Sequence, residues 1–220
     1  MAGATRIMVI RHAEKPGRYG GTQYDGVTPT GSSCGKSGEK DLVTLGWQRA
    51  GGLVTLFAAP WGPKPGLATP QFLYAANPEA KSSKTLGKAK DDLPSQRPFE
   101  TITPLASVLE LTINTTFRKA HYDKMVADAL GQPGIVLVAW QHQDIPLENG
   151  EGEPGLSQEI LTQTATAGTL GIPSTWPTTP AGEARYDLVW VFDRPGGAGP
   201  ITSFTIVPQF LLAGDLPWPA

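Results

Sequence analysis

The stretch IMVIRHAEKP, residues 7–16, carries an apolar run, Ile7 to Ile10, directly into Arg11 and His12. A guanidinium beside an imidazole builds no core. Placed where a strand leaves a sheet, the pair can hold a phosphate instead. The chain has 3 histidines, His12, His121 and His142. His142 lies just past a second apolar run, GIVLVAW at 134–140, within QHQDIP. A lone histidine is ordinarily a satisfied structural residue. Here two residues of a scarce type occupy the same place relative to a strand. The third element is Arg97 in PSQRPFETITPLA, where Pro98 marks a helix start. A helix N-terminus offers free backbone N–H groups and the positive end of a dipole. Arginine adds a forked, permanently charged donor. Arg11, His12, Arg97 and His142 are therefore the candidate phosphate-binding set.

The elements that must position them follow from hydrophobic periodicity. Strands are predicted over 5–10, 71–76, 112–117, 134–140, 186–192 and 203–209. Helices are predicted over 44–58, 97–111, 122–130 (closed by Gly131) and 157–170. Residues 134–140 are apolar throughout, as in a strand covered on both faces. Strands alternating with helices predict an α/β fold with a mostly parallel sheet. In such sheets ligands bind beyond the carboxyl ends of strands, which is where His12 and His142 fall. Gly and Pro gather at 16–40 and 77–96, so both read as loops, inserted next to the candidate site.

Composition narrows the classes. The 220 residues, 40% apolar, suit one domain over residues 1–220 with a sizeable core. With 18 basic and 20 acidic side chains the net charge is −2, which excludes a general nucleic-acid-binding surface. Any anion site must be local. A single cysteine, Cys34, excludes a disulfide within the chain and fits a reducing compartment. The N-terminal apolar run is too short for a signal peptide or membrane span, so a cytoplasmic protein that meets no membrane is expected.

Five stretches, in order, resemble the motifs of the histidine phosphatase superfamily, the group of cofactor-dependent phosphoglycerate mutases, acid phosphatases and phytases. RHAEKP (11–16) looks like its Arg-His-Gly/Ala-Glu signature. LVTLGWQRA (42–50) looks like its L-T-x-x-G-x-x-R-A helix, with Val43 replacing the usual Thr or Ser. SQRPFETITPLA (95–106) looks like its S-x-R-x-x-E/Q-T helix. VLVAWQHQDIP (136–146) is similar to the W-x-H-x-x-I strand of a bacterial and fungal subgroup. YDLVWVF with PQFLLAGD (208–215) fits that subgroup's C-terminal end. The resemblance implies a three-layer α/β/α sandwich of the phosphoglycerate mutase type. It implies hydrolysis of a phosphomonoester, either a small-molecule phosphate ester or a phosphoprotein, with inorganic phosphate as product and no cofactor or metal. It also implies His12 as the nucleophile, phosphorylated in turn, with Arg11, Arg97 and His142 holding the phosphate oxygens. Attack needs a neutral imidazole, and neighbouring cations lower a histidine pKa. Fixed donors around a transferring phosphoryl group do most of the remaining work.

A leaving alkoxide also needs a proton. One branch of the family keeps a Glu after the strand that follows the Arg helix, and here TTFRKAHYDKM has none. Another keeps an Asp directly after the second histidine, where this chain has Gln143 and then Asp144. Asp144 is the first candidate acid, with Asp123 and His121 behind it. The alternatives to a phosphatase are a phosphoglycerate-type mutase and a non-catalytic phospholigand-binding or interaction protein on the same fold. Lys15, Arg18 and the lysines at 81, 84, 88 and 90 read as solvated loop charges, and loop 16–40 as a possible lid over the site. GSSCGKS (31–37) is one residue short of a phosphate-binding P-loop and is set aside. The Trp residues in WPTTP and LPWPA are expected to pack edges.

Overall fold

The structure, a computed structural model, describes residues 2–19, 22–24, 26–27, 40–79 and 95–219. Most of the predicted 16–40 lid loop (20–21, 25 and 28–39) and most of loop 77–96 (80–94), with Cys34, the 31–37 stretch and the four loop lysines, lie outside the described residues.

The sheet is built from β1 (Ala4–Arg11), β4 (Phe72–Ala75), β5 (Ile113–Asn114), β6 (Gly134–Trp140), β7 (Leu188–Asp193) and β8 (Ser203–Pro208). A separate ribbon pairs β2 (Gly17–Tyr19) with β3 (Thr22–Tyr24) inside the predicted 16–40 loop. The helices are α1 (Thr44–Phe57), α2 (Arg97–Leu109), α3 (Tyr122–Gly131) and α4 (Leu156–Gln163). Spatial order in the six-stranded sheet is β5-β4-β6-β1-β7-β8. All neighbours are parallel except those of β7, which runs against both β1 and β8. The mostly parallel α/β architecture expected from the sequence is the one observed.

Strand alternation builds the layers. Met8, Ile10, Leu137, Ala139, Val189 and Val191 face one way and pack under α1 and α2 with Leu53, Phe57, Ile102 and Leu105. Ile7, Val9, Val136, Val138, Trp190 and Phe192 face the other way, under α3 and α4 with Met125, Val126, Ile160 and Leu161. Trp176 of WPTTP is buried here, stacked on Trp190 with ring centroids 5.0 Å apart. Among the described residues no helix is long and apolar enough to cross a membrane.

Several elements are shorter than the sequence pattern suggests, two of them for a clear local reason. The predicted helix 157–170 stops at Gln163. The Thr164 hydroxyl turns back to donate to the Ile160 carbonyl, 2.7 Å, and Ala165 adopts φ 51°, outside the helical region. The predicted strand 112–117 keeps only Ile113–Asn114, because the Asn114 side chain accepts the Thr116 N–H, 3.0 Å, and closes a turn. The closing strand begins at Leu188 rather than 186, leaving Tyr186 and Asp187 at the sheet edge.

Candidate active site

Parallel pairing places the two histidine-bearing loops together. β1 and β6 are in register to their last residues, Arg11 opposite Trp140. The His12 N–H continues the ladder by donating to the Trp140 carbonyl, 2.9 Å. His12 and the Gln141–His142 step therefore leave the same edge side by side. Arg97 reaches this edge from α2 through Thr101, one turn along. The Thr101 hydroxyl accepts the Ala13 N–H, 2.8 Å, and donates to the Arg97 carbonyl, 2.7 Å. One side chain thus ties the segment after the nucleophile candidate to the helix turn that carries Arg97. Ser95 accepts the Arg97 Nε–H at 3.0 Å, which orients that guanidinium.

His12 is 5% exposed. Its Nδ1 lies 2.7 Å from the Ala13 carbonyl. A carbonyl only accepts, so Nδ1 carries the hydrogen and Nε2 is the bare nitrogen of the neutral ring. Burial, then Arg97 and Arg11, push His12 well below its ordinary pKa; the Ala13 carbonyl opposes them, and His142 adds to the depression. His142 is pushed down to about 3 by burial and by Arg11, Lys15 and Arg97. Its Nδ1 is buried and has no hydrogen-bond partner among the described residues. Both imidazoles are therefore neutral at pH 7. The four residues named from the sequence form one electrostatic cluster, with Lys15 as a further member. Lys15 is solvent-exposed as a residue, as expected, yet partial desolvation, Arg97 and Arg11 lower its pKa.

Arg11 is held by backbone carbonyls and an aromatic ring. It donates through Nη1 to the carbonyls of Ala184 and, at 3.3 Å, Arg185, and lies 3.6 Å over the ring of Tyr186. Tyr186 is also 6.2 Å from the His12 ring, centroid to centroid. The sequence reading missed Tyr186, Thr101 and Ser95. Because β7 runs antiparallel to β1, its start lies at the carboxyl edge of the parallel strands.

The other motif positions are structural. Glu14, 4% exposed, bonds Arg49 of α1 at 2.7 Å, and Arg49 also takes Asp215 at 2.8 Å and Gln209 at 3.0 Å. Gly46 allows this helix to approach, since a Cβ there would stand 2.6 Å from the Glu14 carbonyl oxygen. Glu100 accepts the Leu42 N–H, 2.8 Å. Burial, against that N–H and with the added charge of Asp41, pushes Glu100 up to about 8.

The three candidate acids differ in their surroundings. His121 and Asp123 are exposed at the start of α3. Asp144 is 9% exposed and accepts the Gln141 side-chain amide through Oδ2, while its backbone carbonyl takes the Leu156 N–H, 2.7 Å, at the start of α4. Among the described residues no three His, Cys, Asp or Glu side chains group to hold a metal ion.

No protein-family model and no curated protein matches the chain. Among solved structures, it is similar to the "putative phosphohistidine phosphatase SixA" of Agrobacterium tumefaciens. The identity is 14%, over 92% of this chain and 96% of that one, with a TM-score of 0.43. Neither value is high enough to transfer a function.

Proposed function

We propose that this chain is a phosphomonoester hydrolase that works through a phosphohistidine on His12. The observation that carries the reading is the state of that ring. It is neutral, buried among cations, and held by Ala13 so that Nε2 is the nitrogen left for attack. The Nε2 lone pair would form the N–P bond as the bond to the leaving oxygen breaks, and that oxygen takes up a proton. Water would then cleave the N–P bond, releasing inorganic phosphate and returning the neutral ring. Negative charge spreads over the phosphoryl oxygens in both steps. Arg11 and Arg97 supply fixed positive charge there, and His142, neutral in the empty site, becomes a donor once an anion reverses the local field. This roster needs no metal.

Single-turnover labelling with a phosphate donor tests the reading. Wild type should give an acid-labile phosphoenzyme. His12→Ala should give none while keeping its circular dichroism, because the ring lies at the sheet edge. Undiminished labelling in His12→Ala would remove His12 as nucleophile.

A further inference from the structure

Tyr186 lies against Arg11 and near His12 and has no part in the scheme above. It belongs to the segment 184–187, which is held firmly. Arg185, 1% exposed, pairs with Asp187 through two hydrogen bonds of 2.6 and 2.8 Å and takes the Leu216 and Pro217 carbonyls. Trp176 donates to the Arg185 carbonyl, 2.8 Å. The Tyr186 ring is therefore a fixed platform, with the Arg11 guanidinium 3.6 Å above it. Such stacking holds a cation without neutralising it.

The surroundings of the phenol oxygen say what its hydrogen can do. The Lys15 backbone N–H is hydrogen-bonded to that oxygen, and the charges of Arg11, which lies over the ring, and of Arg97 act on it. Each of these is a donor or a cation, so none can accept the phenol hydrogen. The acidic charge that reaches it is Glu14, whose carboxylate is engaged by Arg49. Burial outweighs the neighbouring cations and raises the phenol pKa, so the hydrogen stays in place across the neutral range. These neighbours leave the phenol hydrogen for a group that enters beside His12 and Arg11, and an anion drawn there by the cations brings an acceptor.

We infer that Tyr186 is a substrate-contacting residue: its hydroxyl donates a hydrogen bond to an oxygen of the bound phosphoryl group, while its ring fixes the direction of Arg11. The inference rests on the phosphatase reading of the same site. It gives the pocket a donor from β7's edge in addition to those from β1, β6 and α2.

Tyr186→Phe keeps the ring under Arg11 and removes only the hydroxyl; Tyr186→Leu removes both. Calorimetry with inorganic phosphate and steady-state kinetics on an aryl phosphate read the effect. Tyr186→Phe should weaken phosphate binding and lower kcat/KM by about 10- to 100-fold, the usual size of one hydrogen bond to a charged group, with an unchanged melting temperature. Tyr186→Leu should lose more. Equal phosphate affinity in wild type and Tyr186→Phe overturns the hydroxyl contact while leaving the phosphatase reading intact. Loss confined to Tyr186→Leu reduces the residue to a support for Arg11 and also overturns the contact. A wild-type chain that binds no phosphate and forms no phosphoenzyme overturns both readings.

Discussion

Anion binding at this site should take up a proton, and His142 should be where it goes. In the empty pocket burial, Arg11, Lys15 and Arg97 hold His142 down to about 3. A bound dianion cancels those cations at close range, and the ring then gains an acceptor for its hydrogen. If the pKa returns only to the ordinary histidine value, His142 goes from essentially unprotonated to about three-quarters protonated at about pH 6, and to about one-quarter at about pH 7. Sulfate is the right probe because it stays dianionic across this range and leaves the protein as the source of any pH effect. The background should be His12→Asn, so that His142 is the titrating imidazole of the site. Calorimetry in buffers of different ionisation heat then gives the uptake directly, and log Kd should rise with pH with a slope matching it. His142→Gln should abolish both. Zero uptake at about pH 6, or uptake that survives His142→Gln, would refute the reasoning. The same shift makes the empty fold acid-sensitive. Unfolded His142 takes its proton near the ordinary value and folded His142 only near about 3. The unfolded chain therefore binds more protons in that window, and stability falls as pH drops through it. Sulfate should offset much of the loss.

Two further outcomes test the scaffold and the leaving-group step. Arg49→Met would leave the Glu14 and Asp215 carboxylates, each about 5% exposed, buried without their cation, and should cost about 3–5 kcal/mol in urea unfolding; a loss under about 1 kcal/mol would mean the network is not stabilising. Asp144→Asn should slow alkyl and nitrophenyl phosphate turnover by similar, modest factors, because the Gln141 amide already occupies its Oδ2. A defect of about 10²-fold or more confined to the alkyl ester would instead make Asp144 the general acid.

The sequence made the edge of the sheet readable because two physical rules act there at once. Apolar runs mark buried strands, and a charged residue straight after one has nowhere to go but the sheet's edge. That reasoning placed His12 and His142 together before any coordinate. It also placed Arg97, because proline and a polar stretch mark a helix start. It could not place Tyr186. The stretch YDLVWVF reads as a strand, but a strand's direction is not written in its own residues. Only the pairing of β7 against β1, Met8 opposite Val191, turns its first end toward the site. Thr101 was hidden for a different reason. A hydroxyl on a helix gives no periodic signal, and its role depends on which backbone N–H folding brings within reach. The extra length predicted for α4 has the same origin: local propensity continues past Gln163, while the Thr164 back-bond and the left-handed Ala165 end the helix.

Two kinds of arginine emerge from the partners. Arg49 and Arg185 are buried against carboxylates, Glu14 and Asp215 for the first and Asp187 for the second. Burial alone would raise the Asp215 pKa, but its bonds to Arg49 win and hold it below the usual carboxylate range. These are neutralised pairs that fasten α1 and the C-terminal segment. Among the described residues Arg11 and Arg97 instead meet carbonyls, an aromatic face and a hydroxyl, which fix their direction. Glu100, one turn from Arg97, fits this division. A carboxylate there would quench the helix-start cation, but burial and Asp41 lift it to about 8, so it keeps its proton at neutral pH. Loss of that proton above about pH 8 places a negative charge beside Arg97 and works against any bound anion. The motif residues thus separate by what they touch. Arg49 and Arg185, joined to carboxylates, build the frame, and Arg11 and Arg97 set positive charge at the edge where His12 waits with Nε2 bare.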